Sequence, residues 1–118
     1  MDFRYLVTAP DLNAHGTLHG GVLLRWIDEA TGMHARILSS RVCVTVNMGN
    51  INFVSKSTIG EIILIKTTLE KVGTSSVTFS VMAYEGISDR LIAEISKIVF
   101  VAVDEHGNPS PHGITKKC

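Results

Sequence analysis

The stretch LNAHGTLHGGVLLRWIDEATG, residues 12–32, decides the fold. A small polar loop runs into His19-Gly20-Gly21, and an amphipathic helix follows that carries one carboxylate, Asp28, beyond its first turns. The first N–H groups of a helix have no intrahelical acceptors, and glycines there put no side chains over them. Gly20 and Gly21 are therefore candidate donors to an anion or to a carbonyl oxygen that becomes one. A carboxylate is favoured near a helix N-terminus by the helix dipole. Asp28 lies too far along for that, so its presence asks for another explanation.

The helix is expected from about His19 to Leu38. At about 100° per residue, Val22, Leu23, Trp26, Ile27, Ala30, Met33 and Ile37 make one broad apolar face, with Arg25, Glu29, Gly32 and Arg36 opposite. Asp28 falls between these zones beside Leu24, Thr31 and Ala35, a narrow stripe of small residues suited to meeting a second subunit. Before the helix, residues 3–8 read as a short strand that Pro10, Asp11 and Asn13 turn into a loop. After it the period changes to two: Val42, Val44, Val46 and Met48 alternate with Cys43, Thr45 and Asn47. Further strands are expected at about 60–71, 74–85 and 90–103, punctuated by Gly60, Gly73 and Gly86 as in a meander of hairpins. One long helix and about five strands give an α+β layer in which an antiparallel sheet wraps the helix.

A chain of 118 residues is long enough for one core and has little room for a second module. The expected division is one domain over 1–104 and a polar, loosely ordered tail over 105–118. Eleven Lys and Arg balance eleven Asp and Glu, so no global field draws in nucleic acid or an anionic membrane surface. Any anionic ligand must be held by a local patch. The hydrophobic content, 45%, is high for a small monomer, yet no apolar run is long enough to suggest a membrane span. The surplus is expected at a subunit interface. The start of the chain does not read as a secretory signal, and the cytoplasm is the expected compartment. Cys43 and Cys118 make a poor disulfide framework and are expected as reduced thiols.

Pro10-Asp11-Leu12-Asn13, then His19-Gly20-Gly21, then Ile27-Asp28-Glu29-Ala30 occur in an order and spacing that resembles the hot-dog-fold acyl-CoA thioesterases, the branch of small bacterial and cytosolic acyl-CoA hydrolases. Weaker parts of the likeness are Asn52-Phe53, Gly73-Thr74-Ser75-Ser76 and Val101-Ala102-Val103-Asp104. The resemblance implies a hot-dog fold, an acyl-CoA substrate, no cofactor or metal, and a homodimer or a hexamer made as a trimer of dimers. It also implies a catalytic role for Asn13 and for Asp28.

Thioester hydrolysis needs an activated water or a carboxylate nucleophile, with donors for the oxyanion. Asp28 suits the first role, and the Gly20 and Gly21 amides the second. Seven residues of helix separate Gly21 from Asp28, a rise of about 10 Å. A composite site across a two-fold dimer is therefore expected. The bland alternatives are an Asp28 paired with Arg25 one turn back, an Asn13 that only makes a turn, and glycines that only allow close packing. His19 either orders the loop or contacts substrate. His15 and His19 are four apart, but the turn residues between them do not suit a metal site. His34 reads as a satisfied core residue, and His106 and His112 belong to the tail. For coenzyme A the candidate contacts are Lys56, Lys71 and the run Thr74, Ser75 and Ser76, whose strand edge suits an extended pantetheine. Two competing readings are a hot-dog dehydratase or hydratase using His19 with Asp28, and a non-catalytic acyl-CoA binding module.

Overall fold

The computed structural model describes residues 1–114. Six strands and one long helix follow in the order β1 (Asp2–Leu6), α1 (Gly20–Ser39), β2 (Cys43–Met48), β3 (Ile51–Phe53), β4 (Ile62–Val72), β5 (Ser76–Glu85) and β6 (Leu91–Ala102). All pair antiparallel in the order β1-β4-β5-β6-β2, with β3 continuing the line of β2 beside β6. Only β4, β5 and β6 form a meander. Gly60 belongs to the crossover that carries the chain from β3 at one edge to β4 near the other, so it does not mark a hairpin. The sheet wraps α1, the α+β hot-dog arrangement expected from the sequence, with one short strand more than the five counted there.

Burial follows a clean helical period. Leu23, Trp26, Ile27, Ala30, Thr31, His34 and Ala35 of α1 are buried against the sheet. Ile63, Ile65, Phe79, Val81, Ile95, Ile98 and Phe100 meet them from β4, β5 and β6. The phase differs from the expected one. Thr31 and Ala35, assigned to the intersubunit stripe, lie inside the chain's own core, whereas Met33 and Ile37, assigned to the core, are 43% and 59% exposed. Hydropathy alone cannot separate an apolar residue facing the sheet from one facing outward. Thr31 is tolerated inside because its hydroxyl donates to the Ile27 carbonyl at 2.7 Å.

An apolar surface stays uncovered beside this core. Met33 and Ile37 on α1 and Val42, Val44 and Val46 at β2 are exposed, and β2 is the last strand on its side of the sheet. No helix is long and apolar enough to cross a membrane among the described residues.

The segment after β6 is ordered up to residue 114, contrary to the loose tail expected. Asp104 Oδ1 accepts from the N–H groups of His106 and Asn108, Val103 pairs with Pro109, and the Ser110 N–H donates to the Ala102 carbonyl at 2.9 Å. His112 is then buried, its N–H donating to the Thr74 carbonyl at 3.1 Å. Short polar residues that make side-chain turns read as loop in a sequence, but here they shape a hairpin that returns the chain to the sheet. Cys118 lies outside the described residues.

His34 is the core histidine expected. Only 4% exposed, it packs against Phe79, with Nδ1 2.7 Å from Thr67 Oγ1. Burial, helped by the Met1 ammonium, lowers its pKa from 6.5 to about 4. Because the folded-state value is depressed, the unfolded chain takes up the proton first. The associated stability is complete above pH 6.5 and is lost as pH falls towards 4. At ~1.4 kcal/mol per unit the loss approaches about 3 kcal/mol. Thermal melts between pH 7 and 4 should therefore show a smaller fall in Tm for His34→Gln than for the unaltered protein. Equal falls would mean that other groups set the acid limit.

Candidate active site

The loop before α1 is built by side-chain turns. Asn13 Oδ1 accepts from the His15 N–H at 2.9 Å and from the Thr17 N–H at 3.2 Å, while Asn13 Nδ2 donates to Thr17 Oγ1 at 3.0 Å. Asp11 contributes its carbonyl to the His19 N–H at 2.9 Å. The chain thus reaches the helix with its direction set on both sides of Asn13. The turn reading of Asn13 is correct as far as it goes, and the same geometry brings the residue to the wall of a cavity at the N-terminus of α1.

His19 is the N-cap of that helix. Its Nδ1 accepts from the Gly21 N–H at 2.8 Å, which leaves the ring proton of a neutral imidazole on Nε2. The sequence expectation of an unshielded pair of glycine amides is corrected here: the Gly21 N–H is already taken by the His19 side chain. The Gly20 N–H meets no acceptor among the described residues. Gly21 has a steric reason to be glycine, since a Cβ there would stand 3.0 Å from His19 Nδ1 and Cε1. At Gly20 a Cβ would meet the Phe53 ring at an ordinary 3.6 Å.

The cavity encloses about 230 Å³ between this helix start and the chain after β3. Asn13, Gly20, Leu23, Phe53, Lys56 and Ile92 are among its lining residues. Arg90 fixes the far wall. Its guanidinium donates to the Lys56 carbonyl at 2.9 Å and pairs with Glu61 at 3.2 Å. Arg90 is itself presented by the β5–β6 turn, where the Glu85 carboxylate accepts from the Ser88 and Ile87 N–H groups, bonds that hold its pKa below the ordinary value.

Asp28 is half-buried two turns further along α1, and does not pair with Arg25. Its Oδ1 accepts from Thr45 Oγ1 on β2 at 2.5 Å. A hydroxyl donor aims the carboxylate, and no cation among the described residues neutralises it, as suits a base or nucleophile. Sequence reasoning missed Thr45. In β2 it reads only as the polar member of an alternating strand, and nothing local ties it to a residue 17 positions earlier.

The remaining predicted contacts divide. Lys56 joins the cavity wall, but Lys71 and Thr74–Ser76 do not. They sit beyond the Ser76–Val101 end of the β5–β6 ladder, whereas the cavity lies by its Tyr84–Leu91 end. Eight residues of strand separate these ends, about 27 Å at ~3.4 Å per residue. The Thr74 and Ser76 carbonyls are moreover engaged by the returning C-terminal segment, Thr74 by the His112 N–H and Ser76 by the His112 ring Nε2. Within one chain the two groups cannot serve one small-molecule site.

A helix wrapped by an antiparallel sheet, with a helix-terminal cavity and an uncharged-donor-held carboxylate, describes a class of thioester-handling domains. The Thioesterase superfamily model matches residues 15–91, and the chain belongs to that family. It is similar to the acyl-CoA thioester hydrolase YciA of Salmonella typhimurium, 28% identical over 114 residues that cover 92% of this chain and 86% of that protein. It is also similar to the uncharacterized acyl-CoA thioester hydrolase YkhA of Bacillus subtilis, 31% identical over 104 residues. That match covers 86% of this chain but only 60% of the Bacillus protein's length. Among solved structures, a hexameric thioesterase from Yersinia pestis superposes with a TM-score of 0.86 at 25% identity, covering 92% of this chain and 91% of its own.

The crowding at Gly21 leads to a stability test. A methyl group in Gly21→Ala pushes against the His19 ring and breaks the cap, with an expected loss of about 1 kcal/mol. A Tm lower by about 4 °C is the corresponding readout. An unchanged Tm would show that the His19 ring moves aside without loss.

Proposed function

We propose that this protein hydrolyses acyl-CoA to a carboxylic acid and free CoA, at a site shared by two copies of the chain. The observation that carries the reading is the Asp28 carboxylate, held by the Thr45 hydroxyl and by no cation among the described residues, in a chain of the Thioesterase superfamily. The thioester carbonyl lies in the cavity at the start of α1, where the Gly20 N–H and the helix dipole stabilise the oxygen as the tetrahedral intermediate forms. Asn13 offers its amide to the same group. Asp28 of the partner subunit takes a proton from the attacking water, or itself attacks the carbonyl carbon. In the first route the C–S bond breaks and CoA leaves as the thiol after protonation; in the second the same cleavage leaves a mixed anhydride on Asp28, which water then hydrolyses to the carboxylic acid and free Asp28. His19, with Nδ1 committed to the Gly21 N–H, orders the helix start and is not the base.

Three features support the shared site. The rise of about 12 Å from Gly20 to Asp28 keeps them from one carbon within a chain. Val44 and Val46, exposed on the edge strand that carries Thr45, suit a second copy. The Yersinia pestis relative is hexameric. Lys56, at the cavity wall, is the residue of this chain proposed to meet the CoA phosphates; Lys71 and Thr74–Ser76 can join only from a neighbouring copy. No metal or redox group takes part in these steps. The dehydratase alternative loses its base, since His19 is bound to Gly21 and has no carboxylate partner.

A thiol-release assay over short, medium, long and aromatic acyl-CoAs, run with a chelator, should show hydrolysis. Asp28→Asn should lower kcat by at least about 100-fold while the protein stays folded, and full activity in that variant would refute the role of Asp28. Lys56→Glu should raise KM more than it lowers kcat. Unchanged affinity would mean that CoA enters elsewhere.

Subunit mixing tests the composite geometry separately. Asn13→Ala and Asp28→Asn chains, each nearly inactive alone, should regain activity when exchanged. Random pairing makes about half the dimers mixed, each with one intact site of two, so recovery should approach roughly a quarter of the unaltered rate. No recovery after verified exchange would place both residues in one chain's site.

A further inference from the structure

The cavity at the start of α1 contains one polar group that hydrolysis itself does not use. Ser57 is 1% exposed, lines the cavity, and its hydroxyl meets no hydrogen-bond partner among the described residues. Its neighbours are satisfied: Ser55 Oγ donates to the Leu91 carbonyl at 2.6 Å, and Thr17 Oγ1 bonds with Asn13. The backbone of Ser57 is fixed as well, with its carbonyl accepting the Leu18 N–H at 2.8 Å and the preceding carbonyl held by Arg90. The hydroxyl therefore has one freedom, rotation about χ1, by which to find a partner in the cavity.

A buried hydroxyl without a partner costs roughly 1–3 kcal/mol. Leu18, Leu23, Phe53 and Ile92 on the same wall are apolar and offer nothing, while Asn13, Gly20 and Lys56 are assigned to the thioester carbonyl and to CoA. A ligand that brings an oxygen to this wall removes that cost, while a plain alkyl chain leaves it in place. Selection against the analogue that leaves a site's polar group unpaired is the strong form of specificity. The volume also restricts the ligand. The cavity of one chain, about 230 Å³, suits a short acyl chain.

We infer that Ser57 makes this protein prefer short acyl thioesters bearing a hydroxy or oxo substituent over unsubstituted acyl thioesters of the same length. An oxo group accepts from the Ser57 hydroxyl; a hydroxy group accepts or donates. The inference rests on the thioesterase reading above. It adds a specificity residue to that reading without altering the hydrolytic steps.

The test compares kcat/KM for butyryl-CoA and racemic 3-hydroxybutyryl-CoA, followed by thiol release, in the unaltered protein, Ser57→Ala and Ser57→Cys. Circular dichroism checks that each variant is folded. The unaltered protein should favour the hydroxylated substrate by about fivefold, the worth of one hydrogen bond. Ser57→Ala should bring the ratio to about one or below. Ser57→Cys, with a weak donor in the same place, should fall between them and serves where the alanine variant does not fold. Hydrolysis of butyryl-CoA with no preference for the hydroxylated substrate overturns the role of Ser57 and leaves the thioesterase reading standing. So does a preference that survives Ser57→Ala. Absence of hydrolysis across the whole acyl-CoA panel overturns the thioesterase reading, and this inference with it.

Discussion

The structure depends on how much of one helix a single curled sheet can cover. α1 lies across β4, β5 and β6, and its stripe from Leu23 through Ala30 to Ala35 fills the concave side of that sheet. The apolar core contributes the main stabilisation, since burial returns about 25 cal/mol per Å² of apolar surface. Coverage stops at the edges of the stripe. Beyond one edge lies Asp28, partly exposed beside β2, whose valines are exposed too, and beyond the other lie Met33 and Ile37. A carboxylate can persist there because the sheet does not force it into the core, and Thr45 supplies the hydrogen bond that its position needs. The same incomplete wrapping that would be a liability in a monomer leaves a functional group where a second copy can reach it.

Order at the start of α1 comes from a different source. The Asn13 turn, the Asp11 carbonyl on His19 and the His19 ring on Gly21 form a chain of local hydrogen bonds, each within a few residues. Local bonds of this kind need no distant partner, so the helix N-terminus is pre-set before any ligand arrives. Preorganised donors cost no rearrangement at the moment charge develops, which is why such a terminus suits an oxyanion better than a flexible loop would. Capping also has a consequence for chemistry: by taking the Gly21 N–H, His19 narrows the available backbone donors towards Gly20, and with them the position at which a carbonyl oxygen can sit.

Most of the fold was legible in the sequence because its signals are short-range. The helix from residue 20, the strands of the β4–β5–β6 meander and the glycine turns at 73 and 86 follow from periodicity and punctuation. The crossover at Gly60 was not, since a turn signal says where a chain bends and not which strand it joins. Nor was the phase of the α1 core, where Thr31 replaced Met33, because an interface and a core use the same residues. The segment after β6 was misread for a similar reason: Asp104, Gly107 and Pro109 mark turns, and only the pairing of Ser110 and His112 with the sheet shows that those turns are packed. At the candidate site, motif order named Asn13, Gly20 and Asp28, but Thr45 and Ser57 were invisible. Both act through contacts that exist only after β2 and the chain beyond β3 have folded against α1.

Distance along the sheet then limits what one copy can do. Residues that looked equivalent as coenzyme A contacts in the sequence, Lys56 and Lys71, are divided between opposite ends of the β5–β6 ladder. Strand geometry makes this unavoidable, because a hairpin turn and the far ends of its strands are separated by the full strand length. Lys56 stays with Asn13 and Gly20 because β3 and the chain after it lie beside the start of β6, not its end. A ligand long enough to meet both lysines would have to run across a boundary between copies. On the proposed reading the same boundary brings Asp28 to the helix start of its neighbour, so one arrangement of subunits then has to satisfy both the reacting carbon and the cofactor-like tail of the substrate. That double demand constrains the mode of association far more tightly than the exposed valines of β2, which any apolar surface could cover.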